Sequence, residues 1–220
     1  MKKKKILAIA LVMIIAAMAV AGASLAYFTD TKTATNTFTM GNVKITLDEA
    51  KVDPATGLPV SGANRVTENA YQVYPGAEVS KDPTVHNVGQ NDAYIRAKVE
   101  VSNWLKLVGV CYPDFEGEFP EESFYEALNL LVGELGEGWS VIGVEKAENE
   151  FDARFILKYD EVLAAGENTS AIFSKVIVPT ALDNDSAEDF QSIKVKAEAI
   201  QATANFADWE AAFVAFDANN

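Results

Sequence analysis

The sequence predicts a mainly β protein: an antiparallel jelly-roll-type β-sandwich with a short inserted helix and a C-terminal helix. Apolar and polar residues alternate with period two in run after run, the pattern of half-buried strands. Turn chemistry separates these runs, as at Asp53-Pro54, Thr56-Gly57, Pro75-Gly76, Asn87 to Gly89, Ala165 to Asn168 and Asp183 to Asp185. Strands do not alternate regularly with helices, which argues against a parallel α/β sheet.

The first run sets Val43, Ile45 and Leu47 against Lys44, Thr46 and Asp48. The second places Ala93, Ile95, Ala97, Val99 and Val101 on one face and Tyr94, Arg96, Lys98 and Glu100 on the other. A third runs from Phe151 to Tyr159, and a fourth sets Ile193, Val195, Ala197 and Ala199 against Lys194, Lys196 and Glu198. Shorter candidates are Gln72 to Tyr74, Trp139 to Val144 and Ala171 to Val178. Between the second and third runs, Phe124, Leu128, Leu131, Val132 and Leu135 recur at helical spacing, so Glu121 to Leu135 is expected to be an amphipathic helix stopped near Gly136. The tail from Ala207 to Phe216 puts Trp209, Phe213 and Phe216 on one side of a second helix.

The N-terminus has a different composition. Met1 is followed by four lysines, Lys2 to Lys5, then by an apolar or small run from Ile6 to Ala23 and the stretch Ala21-Gly22-Ala23-Ser24-Leu25-Ala26. This is the charged, apolar and small-residue order of a secretory signal peptide. The 18-residue run is also just long enough to hold the chain in a bilayer as an uncleaved anchor. Small residues permit cleavage after Ala23 or after Ala26. The expected layout is a signal peptide over 1–26, a segment over 27–42 and a folded domain over 43–220, for a secreted protein of the extracellular matrix or cell surface.

Removing residues 1–26 of the 220 leaves about 194, enough for one domain with a substantial core. The leader holds four of the 18 basic residues and none of the 32 acidic ones, so the remainder carries 14 cations against 32 anions, a formal charge of −18. Such a surface repels nucleic acid and anionic lipid. Membrane contact is therefore expected only through the leader before cleavage. The one cysteine, Cys111, cannot form an intramolecular disulfide; within Leu107 to Tyr112 it reads as a small buried hydrophobe.

Several blocks together resemble the TasA/camelysin family. They are Ala26-Tyr27-Phe28-Thr29-Asp30, then Thr37-Phe38-Thr39-Met40-Gly41-Asn42 before a strand, then Tyr74-Pro75-Gly76, Asn87-Val88-Gly89 and Ala93-Tyr94-Ile95-Arg96, and finally Ala197 to Ala202. The region Gly109 to Gly136 has no counterpart in that pattern. The resemblance implies export through a dedicated signal peptidase and a mature N-terminus around Tyr27 or Phe28, with the bond between Ala26 and Tyr27 another candidate. It implies a jelly-roll subunit that polymerises with copies of itself, alongside assembly or anchoring proteins, by donor-strand exchange. In that mechanism the N-terminal segment of one copy fills a gap in the sheet of the next.

The residues behind the leader suit that mechanism. Phe28 to Asn42 is rich in threonine and contains no proline and no glycine before Gly41. Ala34, Asn36, Phe38 and Met40 alternate with Thr33, Thr35, Thr37 and Thr39. Threonine favours strands yet remains soluble, as a segment awaiting a partner edge requires. The donor residues are thus Phe28, Ala34, Asn36, Phe38 and Met40, with Phe38 and Met40 setting register. Pairing within its own chain, or a disordered terminus, are the other readings of the segment.

Catalytic chemistry is sparse. Camelysin-like members have been classed as metallopeptidases, but zinc hydrolysis needs about three protein ligands and a base, usually on a helix with paired histidines. The only histidine is His86, read as a solvated or locally bonded residue near a turn. A serine triad lacks a nucleophile elbow. Asp183 to Asp189 lacks EF-hand spacing and reads as an acidic turn, and the acids at Asp114 to Glu118 and at Glu121-Glu122 read as solvated faces. Asn168-Thr169-Ser170, an N-glycosylation pattern, reads as a turn. The expectation is a self-assembling structural protein with no cofactor and no catalytic residues. The alternatives are a camelysin-type surface metallopeptidase and a monomeric surface-binding or assembly accessory protein.

Overall fold

The computed structural model describes residues 42–111, 113, 114, 121–146, 152–182, 192–203 and 205–218, all within the unit Gly41–Asn220. The leader, the cleavage residues and the whole proposed donor segment up to Met40 lie outside the described residues. The described part is mainly β, with antiparallel sheets and a few helices.

The strands are β1 (Ile45–Asp48), β2 (Glu78–Ser80), β3 (Thr84–Asn87), β4 (Ala93–Val101), β5 (Trp139–Lys146), β6 (Ala153–Tyr159), β7 (Lys175–Ile177) and β8 (Ile193–Gln201). The helices are α1 (Trp104–Cys111), α2 (Glu121–Val132) and α3 (Trp209–Asp217). Four strands form one sheet in the order β5-β6-β4-β8, while β1 pairs with β3 and β2 with β7, all antiparallel.

Period two dictates which face is buried. On β4 the odd-numbered residues Ala93 to Val101 are buried, as are Ala153, Phe155 and Leu157 on β6. They join Val79, Val85, Phe173 and Val176 from the smaller strands and loops, and Trp104, Leu128 and Leu131 from α1 and α2, in one core. Trp104 meets Phe155 edge to face with ring centroids 5.0 Å apart, a geometry in which the ring quadrupoles attract.

Across the sheet, α3 packs on the other face. Asp208 caps its N-terminus, accepting from the Ala211 N–H at 2.9 Å, and the Trp209 indole donates to the Ile95 carbonyl at 2.7 Å. Arg96 anchors the far end of the helix. Its two terminal nitrogens donate to the two Asp217 carboxylate oxygens at 2.7 Å each, its Nε donates to Glu198 at 2.8 Å, and it lies over the Phe213 ring at 4.4 Å. The hydrogen bonds from Arg96 hold the Asp217 carboxyl below its ordinary value. Burial alone would raise Glu198, but the hydrogen bonds from Lys196 and Arg96 outweigh it and lower the group.

Several expectations need correction. Gln72 to Tyr74 forms no strand; its described backbone bonds are from Gln72 N–H to the Pro54 carbonyl at 2.8 Å and from Ala77 N–H to the Tyr74 carbonyl at 2.9 Å, neither part of a ladder. The expected strand at Ala171 to Val178 reduces to β7, with Phe173 in an isolated bridge. The inserted helix ends at Val132, because Gly133 takes φ +71 and turns the chain. The apolar stretch before it, expected only to be buried, is helix α1. The side chain of Cys111 lies outside the described residues, as do those of Glu121 and Glu122 and all of Asp183 to Asp189.

Candidate strand-acceptor groove

Strand β8 has a partner on one side only. Ala202 N–H donates to Asp92 at 2.9 Å and Ser102 N–H donates to Ser192 at 3.1 Å, extending the β4–β8 ladder at its two ends. Hydrogen-bonded pairs alternate in an antiparallel ladder. Residues 194, 196, 198 and 200 therefore spend their backbone groups on β4, whereas Ile193, Val195, Ala197, Ala199 and Gln201 turn theirs to the other edge. Among the described residues no strand pairs with that edge.

The core is unfinished at the same place. The inward residues of β4 and β6 are fully buried, but their neighbours on β8, Ile193, Val195, Ala197 and Ala199, are only half-buried. At the start of β8, beside Ser192 to Val195, lies a groove of about 650 Å³, also lined by residues 67–71 and 73 and by Val79 and Val176. One end is polar: the Lys81 ammonium meets buried Glu49 at 2.6 Å, and the Asn69 amide donates to the other Glu49 oxygen at 3.0 Å. A half-buried apolar row and an open backbone edge, with a groove at the Ile193 end, present a surface that an added strand could cover. The opposite sheet edge, β5, is interrupted by a register shift between Val141 and Gly143, which blunts it as a template. On β8, Lys194 and Lys196 keep the edge soluble.

The motifs near the N-terminus now have physical roles. Asn87 is buried, its amide donating to Asn91 at 2.9 Å and Leu163 at 3.1 Å, while its oxygen accepts from Gly89 N–H at 3.1 Å. Residues 88 and 90 donate to the carbonyls of Lys44 and Asn42 at 2.9 and 3.0 Å. A Cβ on Gly89 would lie 2.6 Å from the Asn42 oxygen and 2.7 Å from the Lys44 nitrogen, so this close approach requires glycine. Asn87-Val88-Gly89 thus holds the chain immediately after the proposed donor segment. Tyr74-Pro75-Gly76 is a turn closed by Ala77 N–H to the Tyr74 carbonyl at 2.9 Å, with Gly76 at φ +82, the conformation of a type II turn. It leads into β2 at the groove floor.

His86 stands one residue before the Asn87-Val88-Gly89 turn, but its bonds are not local. It lies in β3, with Nε2 2.8 Å from Asp48 and Nδ1 2.6 Å from Asn168, both distant in sequence. Asn168-Thr169 is likewise a tether: the buried Thr169 hydroxyl accepts from Val85 N–H at 3.2 Å. Arg65 binds Asp48 and Asp82. Burial raises the Asp48 carboxyl, but the bonds from Arg65 and His86 prevail and lower it. Both histidine nitrogens therefore face bonded oxygens, and the nearest carboxylate is shared with a guanidinium. That donor set does not fit a catalytic metal, and among the described residues no group of three or more His, Cys, Asp or Glu could hold one.

The cleavage residues Ala26, Tyr27 and Phe28 and the donor residues Ala34, Asn36, Phe38 and Met40 all fall outside the described residues. Sequence reasoning missed the open edge of β8. The β8 alternation was legible, but an unpaired edge leaves no mark in a strand's own sequence.

The model of the camelysin metallo-endopeptidase family matches residues 1–94, in agreement with the TasA/camelysin resemblance. That span contains the leader, the threonine-rich segment, β1 to β3 and the Asn87-Val88-Gly89 turn. No curated protein and no solved structure matches the chain. Among the described residues no helix is long and apolar enough to cross a membrane.

Proposed function

We propose that this chain, similar to the camelysin family over residues 1–94, is an exported structural subunit of biofilm-matrix or cell-surface fibres. The freed segment from Phe28 to Met40 of one copy enters the groove beside β8 of the next, completing a jelly-roll-type sandwich. The observation that carries this reading is the half-buried inward face of β8 beside an open backbone edge. The partner is the same chain, with anchoring or assembly proteins as further contacts. A dedicated signal peptidase, cutting near Tyr27, both releases the subunit and creates its connecting strand.

The geometry suits the roles. Nine residues of β8 span about 30 Å and thirteen from Phe28 to Met40 span about 43 Å, so the segment covers the edge with residues to spare. Phe38 and Met40 supply apolar side chains on one face for the groove floor, and the threonines face outward.

The test is deletion of Phe28 to Asn36 from the mature chain. The account expects a folded monomer that forms no fibres by electron microscopy; fibres from the truncated chain contradict it.

The family description favours a second reading, a surface metallopeptidase. Chelator-sensitive casein hydrolysis that copurifies with the mature chain supports that reading over the structural one.

A further inference from the structure

The face of the large sheet turned away from the core carries an unusual charge arrangement for a chain of formal charge −14. Three rows cross β8, β4 and β6: Lys194, Glu100 and Arg154; Lys196, Lys98 and Ile156; Glu198, Arg96 and Lys158. Six cations stand against two carboxylates. Glu198 serves three of them, with Arg96 at 2.6 Å, Lys196 at 2.9 Å and Lys98 at 3.4 Å, while Glu100 holds Arg154 at 2.8 Å and Lys194 at 3.9 Å. Lys98 and Lys196 are directly opposed across the ladder, a pairing that destabilises a sheet unless anions are near. Helix α3 brings Asp217 to the Arg96 row alone. The Lys194 and Lys196 side chains remain 74 % and 72 % exposed.

The complementary charge lies beyond the Lys158 end of these rows, where Asp160 stands 4.0 Å from Lys158 of the same copy. Where β5 begins and β6 ends, Trp139 pairs with Tyr159 and Asp160 N–H donates to Gly138 at 2.8 Å. This joins two turns that carry exposed Glu137, Asp160 and Glu161. Their crowding is felt at Tyr159, whose phenol is raised by burial and then by Glu161 and Glu137. At physiological salt the screening length is about 8 Å, so contacting surfaces respond to these local charges more than to the net repulsion of the two copies.

We propose that the basic rows around Lys194 and Lys196 are a contact surface for a second copy of this chain, binding its acidic Glu137–Asp160–Glu161 turns. The two surfaces differ, so the contact is heterologous and extends without closing. It uses neither Val79 nor Val176 of the groove floor, although Lys194 lines the same groove, and the test below separates this contact from strand exchange.

The test mixes mature chains grown with light and heavy nitrogen, joins carboxylates to amines with a zero-length carbodiimide, and reads mixed-isotope peptides by mass spectrometry. Light–heavy cross-links from Lys194 or Lys196 to Glu137, Asp160 or Glu161 are expected, falling at least about tenfold in 0.5 M salt. Both K194E/K196E and K194Q/K196Q remove the reacting amines, so their association is read by sedimentation: K194E/K196E abolishes it, mixing that variant with an E137K/E161K chain restores it, and K194Q/K196Q, which adds no new charge, weakens it in the same direction should the reversed variant not fold. Cross-links confined to Glu100 and Glu198 of the same copy, or association unchanged by charge reversal, overturn the proposal. Fibres that grow without these cross-links leave strand exchange standing and refute this contact; cross-links without fibres do the reverse.

Discussion

Replacing Val195 by proline separates the fold of the subunit from its assembly. The alternation fixed by the Ala202 and Ser102 bonds turns the Val195 N–H away from β4, so proline there removes no bond of the described sheet. Proline is tolerated on edge strands when its nitrogen faces outward, and the half-buried Val195 side chain loses little area, so the monomer is expected to weaken by only about 1 kcal/mol. An incoming strand meets a missing donor and a ring in its path. The cost there is about 3 kcal/mol, a roughly 100-fold rise in the concentration needed for polymerisation. One residue on, Lys196→Pro removes an N–H bonded to β4 and is expected to cost the fold itself about 3 kcal/mol. Urea unfolding of the two variants and sedimentation of the mature chains above and below the wild-type threshold measure both quantities. If Val195→Pro polymerises at the wild-type concentration, or unfolds as readily as Lys196→Pro, the assigned edge is wrong.

Other substitutions probe the supports of the site. Gly89→Ala forces a Cβ to within 2.6 Å of the Asn42 oxygen, so it should destabilise the domain by about 1–3 kcal/mol and raise amide exchange at Val88 and Gln90 before other sites. Acid should loosen α3: Asp217 and Glu198 are held below their ordinary values, so their contribution is present above the unfolded carboxyl range and is lost as pH falls through the folded values, below about pH 4. Near-UV circular dichroism of the Trp209 environment reads this loss, and Asp217→Asn should shift it to neutral pH. Casein hydrolysis by the purified mature chain should be at background with and without chelator, because His86 is engaged on both ring nitrogens.

The long strands were legible because half-burial writes period two directly into Ala93 to Val101, Ile193 to Ala199 and Ala153 to Tyr159. The tail helix was legible through Trp209 and Phe213. The short strands β2 and β3 hold only three and four residues, too few for a period to emerge, and their pairing is decided by distant partners at Lys175–Ile177 and Ile45–Asp48. Helix α1 was hidden because Trp104 to Cys111 is apolar apart from Lys106 and Gly109, so the exposed Leu105 reads the same as the buried Trp104, Leu107 and Val108. The partners of His86 were hidden because its bonds run to Asp48 and Asn168, contacts that only the folded chain creates. At the site, the resemblance implies a donor segment that lies outside the described residues, whereas the open edge of β8 depends on the order of strands in the sheet, a property of topology.

The most direct measurement places a photo-reactive benzoylphenylalanine at Phe38 of the mature chain, mixes light and heavy copies, and maps the covalent adducts after irradiation. The account predicts light–heavy adducts to Val79, Val176 or the β8 residues Ile193 to Ala199 of the other copy. Adducts confined to the same copy, or to a surface away from this groove, contradict it.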